Sequence, residues 1–324
     1  MSGQERDYLS VYNIRPEKDV CYRTPYLPMS ENLVQRKSAR VRNSNENVRD
    51  GDDSPKDKHA FDDDDKFRSK RPNLTLMEEL ILLSSKDDTG ETFLFNNSIS
   101  LAMRACMLVE LAIRGRIEME PAGIRKKNSE RRMLRVTNNS STGEPLLDEA
   151  LKLMSESTEA DSVSGWLTLL TGETWNPTKL GYQMRNVRLK TCKGLVEKGI
   201  CTASTQNMVI FSMTVYPIID TAAKRSVINY FCDLLTKNWK GVESLSPRDF
   251  ALLSICYAVE TFDYPLSNLN DSELEMALGR LRQIGKIDSE EEINKLSSIT
   301  DDSFRAESNI RQIIHACLVT LDSF

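Results

Sequence analysis

Arg185 and Arg188, three residues apart in a basic stretch of this chain, are the side chains best suited to binding a phosphate group. Four lysines of the same stretch add to its positive charge: Lys179, Lys190, Lys193 and Lys198. An i, i+3 spacing places both arginines on one side of a helix, where two guanidiniums can hold one phosphate by charge-assisted hydrogen bonds. A basic helix face that is merely solvated gives the same pattern.

An apolar run, Met208, Val209, Ile210 and Phe211, follows the basic stretch and is typical of a β-hairpin. Cations beside apolar side chains suit a surface that contacts a lipid headgroup and the bilayer below it, but a DNA-binding winged helix has the same outline. The predicted hairpin turn, residues 203–207, contains no Lys or Arg, and from residue 74 onward 34 acidic residues outnumber 28 basic ones. Because DNA binding needs many phosphate contacts, this balance favours a single phosphorylated headgroup.

Arg104 lies within the most apolar segment of the chain, residues 101–113. A guanidinium removed from water requires a partner. Two explanations remain open: an internal salt bridge with an acid on a neighbouring helix, or a phosphate ligand at the edge of the core. The segment is too short to span about 30 Å of hydrocarbon, so it predicts a buried helix.

The composition predicts an intracellular protein that reaches a membrane only from outside. The chain has 324 residues, 40% of them hydrophobic, and a formal net charge of -5, so a basic site must be local. Its seven scattered cysteines include no Cys-x-x-Cys pair, which favours reduced thiols over disulfides or zinc. The chain opens with a polar segment rather than a signal peptide.

No residue is predicted to be catalytic, and we expect no enzymatic activity, no cofactor and no metal. The sequence lacks a phosphate-binding glycine loop, a dinucleotide fingerprint and a nucleophile elbow. Of its two histidines, His59 lies in the N-terminal region and His315 is assigned to packing beside an apolar helix face. The acid pair Glu78 and Glu79 is explained by a solvated helix face or a cap.

The apolar periodicity predicts a mainly α fold: a single globular helical domain, residues 73–324, with a few short strands and a protruding β-hairpin. Residues 1–72 are predicted to form a disordered tail, since they hold too few apolar residues to offset the entropy of ordering. Thr75 and Glu78 have capping-box spacing and mark the first helix, and Pro177 is predicted to open a basic helix that continues to Lys198. Further helices are predicted at residues 98–114, 146–154, 164–170, 220–239, 247–260, 272–284 and 304–321, and strands at residues 91–95, 117–120 and 133–136.

A basic cluster in the tail comprises Arg36, Lys37, Arg40 and Arg42, and an acidic run follows at residues 62–65. The tail is either a solvated linker or a short linear motif that binds a partner.

Several motifs resemble the Golgi phosphoprotein 3 family. Two of them are Leu-Thr-Gly-Glu-Thr-Trp-Asn-Pro at residues 170–177 and Gln-Met-Arg-Asn-Val-Arg at residues 183–188. Others lie at residues 74–79, 104–116, 146–151 and 195–199. The similarity is close over residues 74–216 and weaker toward the C-terminus.

The resemblance implies a peripheral membrane adaptor on the cytosolic face of the Golgi, at the trans-Golgi, with a cytosolic pool. Members of the family bind phosphatidylinositol 4-phosphate and link the cytosolic tails of glycosyltransferases to the coatomer coat, so that these enzymes are retained during vesicle trafficking. A winged-helix-like nucleic-acid-binding protein and a lipid-independent interaction scaffold are the alternatives, although we expect no nucleic-acid partner.

By the same resemblance, the headgroup-binding residues are Phe95, Arg104, Arg185 and Arg188. Phe95 takes the position of a family tryptophan and lacks the indole N–H donor. The hairpin residues 208–211 would insert into the membrane and support a homo-oligomer. The basic tail cluster, Arg36, Lys37, Arg40 and Arg42, would bind coatomer.

Overall fold

The computed structural model describes residues 73–85, 97–121, 129–207, 212–286 and 302–323. Within these ranges the fold is mostly helical with two small antiparallel strand pairs, which confirms the predicted class. The helices are α1 (Leu76–Ser84), α2 (Asn97–Ile113), α3 (Pro145–Glu156), α4 (Val163–Thr171), α5 (Val187–Glu197), α6 (Thr221–Thr236), α7 (Pro247–Ala258), α8 (Asp263–Leu266), α9 (Asp271–Gly285) and α10 (Asp302–Asp322). Strand β1 (Ile117–Met119) pairs with β2 (Leu134–Val136), and β3 (Ser204–Asn207) pairs with β4 (Ser212–Val215). The prediction that residues 203–207 form the hairpin turn is wrong, because residues 204–207 pair with β4 as a strand.

Helix α2 is the central helix of the fold. Every residue from Leu101 to Ala112 is buried, as expected for a helix that is apolar on all sides. The elements that pack against it are α1, α3, α4, α5, α7, α10 and β1. Arg104 and Glu110 therefore place two charged side chains in the interior, and each needs partners from the surrounding helices.

Helix α1 begins with the predicted capping box. The Thr75 hydroxyl accepts a hydrogen bond from the Glu78 amide at 3.3 Å, and the Glu78 carboxylate accepts one from the Thr75 amide at 2.8 Å. Of the two explanations for the acid pair, the cap is confirmed for Glu78, whereas a solvated face is wrong for both Glu78 and Glu79, because both are buried. Since α1 packs against α2, α5, α6 and α7, no face of this helix remains for water.

The buried carboxylates of this region are neutralised by cations from distant segments. Arg248 of α7 contacts Glu110 at 2.7 Å and Glu79 at 3.3 Å, and Arg114 contacts the other oxygen of Glu110 at 3.0 Å. Lys198 contacts Glu78 at 2.7 Å. These pairs connect α1, α2 and α7 with the end of α5, and they supply the partners that buried charges require.

Helix α10 closes the core on the side of β1. The Asn309 side-chain amide pairs with the backbone of Met119 through two hydrogen bonds of 3.1 Å, in the manner of a neighbouring strand. Helix α10 also packs against α2, α4 and α7. His315 contacts the Ser129 hydroxyl at 3.2 Å, in agreement with a packing role.

The prediction of one continuous basic helix from Pro177 to Lys198 is wrong. The structure has a 3₁₀ helix at Pro177–Tyr182, a non-helical turn at residues 183–186, and only then α5. Asn186 adopts a left-handed conformation with φ of 57°, which interrupts the helical path. Arg185 consequently lies in the turn while Arg188 is the second residue of α5, so the two do not share one helix face.

Several predictions fall outside the described residues. These are the disordered tail with its basic and acidic clusters, His59, the strand at residues 91–95 with Phe95, and the apolar hairpin residues 208–211. In the part of the chain that is described, no helix combines the length and apolar character needed to cross a membrane.

Candidate functional site

Arg104 projects from α2 toward the turn that carries Arg185. Its guanidinium donates to the Leu170 carbonyl at 2.8 Å, to the Met184 carbonyl at 2.6 Å, and to both oxygens of Ser100 at 2.8 and 2.9 Å. Within the described ranges its close partners are thus carbonyls and a hydroxyl, not the carboxylate of an internal salt bridge. Because these acceptors are uncharged, the site keeps the positive charge of Arg104.

The hydrogen bonds of Arg104 close a loop. Leu170 ends the buried part of α4 and Met184 precedes Arg185, and the Met184 amide also donates to the Leu170 carbonyl at 3.0 Å. Residues 171–183 therefore form a loop whose two flanking residues, Leu170 and Met184, lie side by side. Arg104 donates hydrogen bonds to the carbonyls of both. We call residues 171–183 the clamped loop.

Gln183 connects the clamped loop to Arg185. Its side-chain nitrogen donates to the Thr171 carbonyl at 3.1 Å, and its side-chain oxygen accepts from Arg185 Nε at 3.0 Å. Gly172 makes this arrangement feasible, since it has a left-handed φ of 82° and a Cβ at this position would lie 2.4 Å from the Gln183 side chain. Arg185 is exposed and, among the described residues, its hydrogen-bond partner is a neutral amide, so its charge is available to a ligand.

The Gly172→Ala variant should lose about 2 to 3 kcal/mol of folding free energy, because the left-handed backbone costs roughly 1–2 kcal/mol and the displaced Gln183 adds about 1 kcal/mol from a lost hydrogen bond. Thermal or urea unfolding measures the loss. Gly143→Ala is the matched control, because Gly143 has a φ of 80° but nothing within 4 Å of the added carbon. Equal losses in the two variants would contradict the proposed contact with Gln183.

Arg104 and Arg188 are close enough to influence each other. Burial lowers the pKa of Arg104, Glu173 raises it and Arg188 lowers it further. Burial also lowers the pKa of Arg188. Both guanidiniums stay charged at neutral pH because an arginine does not deprotonate in a protein. A multivalent anion between them would relieve their mutual repulsion.

Helix termini reinforce the positive potential of this region. Ser100, which accepts from Arg104, lies in the first turn of α2, and Arg188 lies in the first turn of α5. Neither first turn contains an acidic residue, and Asn186 makes no side-chain capping bond at the start of α5. The partial positive charge of a helix N-terminus attracts anions, so both helices favour the same ligand charge as the arginines.

The lysines of the basic stretch contribute less net positive charge than their number indicates. Lys179 contacts Glu159 at 3.1 Å, Lys190 contacts Glu149 at 2.6 Å, and Lys198 lies between Glu78 and Glu144. Each of these three is thereby paired with an acid, whereas the fourth, Lys193, is exposed on α5. The positive charge of the stretch is concentrated at the turn that holds Arg185, next to Arg104 and Arg188.

The described ranges contain no group of three or more His, Cys, Asp and Glu side chains arranged to hold a metal ion. The arrangement around the turn is instead suited to binding an anion of about the size of a phosphate group through guanidinium hydrogen bonds.

The family model for Golgi phosphoprotein 3 (GPP34) matches residues 76–298 of this chain. The chain belongs to the Golgi phosphoprotein 3 family. Among its relatives is the vacuolar protein sorting-associated protein 74 of Schizosaccharomyces pombe, which is 39% identical over 229 residues and matches 67% of each chain. Membership of the family supports a Golgi-associated adaptor role in trafficking.

The structure brings together three of the four headgroup-binding residues predicted from the resemblance to this family. Arg104, Arg185 and Arg188 meet at the turn before α5, whereas Phe95 lies outside the described residues. Sequence reasoning missed Gln183, which positions Arg185. Gln183 lies within the motif at residues 183–188, and this position could have suggested a role for it. However, no sequence rule predicts that an amide side chain packs against a glycine eleven residues earlier.

Proposed function

We propose that this protein is a non-enzymatic peripheral membrane adaptor that binds phosphatidylinositol 4-phosphate on the cytosolic face of Golgi membranes. Arg185 and Arg188 bind the phosphate of the headgroup. Arg104 holds the turn from which Arg185 projects and adds a third positive charge at its edge. This division of roles follows from burial, because Arg104 is 6% exposed and its guanidinium already donates four hydrogen bonds.

One observation carries the proposal: within the described ranges neither Arg104 nor Arg185 forms a salt bridge with a carboxylate, although the adjacent Lys179 and Lys190 are paired. A single guanidinium bonded to a neutral amide is poor at stabilising a fold and well suited to capturing a phosphate. A local site of this kind fits a single headgroup better than a polyanion.

We further propose that the adaptor links the cytosolic tails of glycosyltransferases to coatomer, with the basic tail cluster as the coat-binding element and the hairpin as a second membrane contact. This part of the proposal rests on family membership. Two weak membrane signals acting together make binding both selective and reversible, since a single anchor gives only marginal affinity.

Vesicle binding across a panel of phosphoinositides tests the headgroup assignment. We expect the protein to cosediment with vesicles containing phosphatidylinositol 4-phosphate and to bind vesicles of neutral lipid much more weakly. Phosphatidylserine vesicles whose surface charge matches that of the phosphoinositide vesicles should also bind much more weakly. Equal binding to all anionic vesicles would contradict a specific headgroup site.

Binding to duplex DNA at physiological salt tests the nucleic-acid alternative. Tight, salt-dependent binding to DNA would favour that alternative. A protein that ignored every lipid yet bound coatomer or enzyme tails would instead be an interaction scaffold.

A further inference from the structure

The clamped loop presents apolar side chains to solvent. Trp175 is 102% exposed and Leu180 is 44% exposed, and among the described residues the other large exposed apolar side chains are Ile219 and Met276. A tryptophan without any packing contact leaves a large apolar surface in water. Two such residues within one short loop require an explanation beyond chance exposure.

The framework of this loop is well fixed. Tyr182 packs edge-on against buried Trp166 with ring centroids 5.9 Å apart, and its hydroxyl donates to Ser157 at 3.3 Å. The Asn176 side chain caps the 3₁₀ helix Pro177–Tyr182 through the Thr178 amide at 3.1 Å. Together with the hydrogen bonds of Arg104, these contacts hold the loop so that Trp175 projects at little further cost in entropy.

Trp175 also lies beside the anion site. It is three residues from Gly172, so its Cα is within about 11 Å of the point where Gln183 and Arg185 meet the loop. Glu173, two residues from Trp175, interacts electrostatically with Arg104. The backbone of Trp175 and the exposed Arg185 are therefore held near each other in the fold.

We propose that Trp175, assisted by Leu180, is an interfacial anchor that enters the bilayer while Arg185 and Arg188 bind the headgroup. This inference rests on the proposed function, because the arginines bring the loop to the membrane. Tryptophan is favoured at membrane interfaces, where its ring contacts the acyl boundary and its N–H group remains among the headgroups.

A bilayer explains this surface better than a protein partner does. Trp175 is fully exposed and so does not line a groove, and a protein interface of useful affinity needs roughly 800 Å² from each partner. The exposed cation next to the loop, Arg185, matches an anionic lipid surface. Binding of a cargo peptide or of a second copy of this chain at the clamped loop, in the absence of vesicles, would contradict the proposal.

Tryptophan fluorescence of the full chain tests the anchor. Vesicles containing phosphatidylinositol 4-phosphate should shift the emission to shorter wavelength, and brominated acyl chains should quench it. Trp175→Phe should abolish both signals. Trp239→Phe should retain both, because Trp239 is partly covered and stacks with Arg280 at 5.6 Å. An equal shift in Trp175→Phe and the unaltered protein would overturn the anchor.

Affinity measurements separate the anchor from the headgroup site. Trp175→Ala should weaken binding to vesicles containing phosphatidylinositol 4-phosphate on the order of tenfold. This is the effect expected if membrane binding removes about a third of the indole surface from water. It should leave binding of a soluble headgroup analogue without acyl chains unchanged, and its thermal unfolding should match that of the unaltered protein. Unchanged vesicle affinity would overturn the anchor while leaving the headgroup site intact.

Two other results would also decide the matter. If the unaltered protein binds neither the analogue nor the vesicles, the proposed function fails and the anchor fails with it. If Trp175 emission shifts with protein concentration alone, or on addition of a glycosyltransferase tail peptide without vesicles, the loop is a protein-binding surface and the bilayer assignment is overturned.

Discussion

Replacing Arg185 and Arg188 together by alanine should reduce binding to vesicles containing phosphatidylinositol 4-phosphate by at least about a hundredfold. Hydrogen bonds to charged groups contribute roughly 1.5–3 kcal/mol each, and two lost guanidiniums therefore remove about 3 kcal/mol or more. Vesicle cosedimentation measures the loss. Because Arg185 is exposed and Arg188 is partly exposed, the fold should survive, and circular dichroism with thermal unfolding verifies this.

The matched control is the pair Lys190→Ala with Lys193→Ala. It removes the same charge from the same basic stretch, but Lys190 is paired with Glu149 and both lysines lie farther along the chain, within α5. General attraction to an anionic surface is worth about 1 kcal/mol for each cation, so this control should lose at most about thirtyfold. An equal loss in both double variants would mean that net charge, rather than a headgroup site, determines binding.

Arg248→Met should destabilise the protein by about 3–5 kcal/mol, the largest stability effect that we expect from one substitution. The side chain of Arg248 is 11% exposed and neutralises Glu79 and Glu110, whose side chains are 2% and 4% exposed. Its removal also leaves the Leu74 carbonyl without the 2.7 Å hydrogen bond from this arginine. Urea unfolding at neutral pH measures the change.

Arg135→Met is the control for a lost ion pair at the surface. Arg135 contacts Glu118, and the two side chains are 55% and 36% exposed. An exposed pair contributes at most about 1 kcal/mol, because water screens it and two side chains lose entropy to form it. If Arg135→Met and Arg248→Met lost comparable amounts of folding free energy, burial would not be the reason for the large effect expected of Arg248→Met.

The pH dependence of Arg248→Met should be opposite to that of the unaltered protein. Burial alone would raise the pKa of Glu110, but Arg248, Arg114 and the Leu76 amide lower it. A lowered carboxyl pKa stabilises the fold at neutral pH, and this stability is lost as the pH falls below about 5. Without Arg248, burial dominates and the neutral form is favoured, so the variant should gain stability between pH 7 and pH 5. A parallel pH profile would contradict this assignment.

Local rules predicted the features of the fold that depend on neighbouring residues. Thr75 and Glu78 are three residues apart, and they form the capping box that their spacing predicts. The apolar segment around Arg104 forms a fully buried helix, as predicted, because apolar residues occur on all faces of that helix. Arg104, Arg185 and Arg188 came together as the family resemblance implied, although spacing alone placed the last two on one helix face.

Contacts between distant residues determined what the sequence did not reveal. No proline or glycine interrupts residues 183–186, yet the helix begins only after Asn186, and Arg104 binds the Met184 carbonyl in that turn from 80 residues away. Glu79 is buried because Arg248, 169 residues later, neutralises it. Propensity and periodicity describe neighbours along the chain, so they contain no information about either contact.

The pairing of Asn309 with Met119 has a consequence for synthesis on the ribosome. These residues are 190 positions apart, and α10 covers the central helix that carries Arg104. At roughly 5–20 residues per second, the ribosome needs about 10–40 s to make the intervening chain. During that interval the apolar surface of α2 has no permanent cover on this side. We therefore expect nascent chains that lack α10 to be chaperone clients, and the native fold to arise only after α10 has been made.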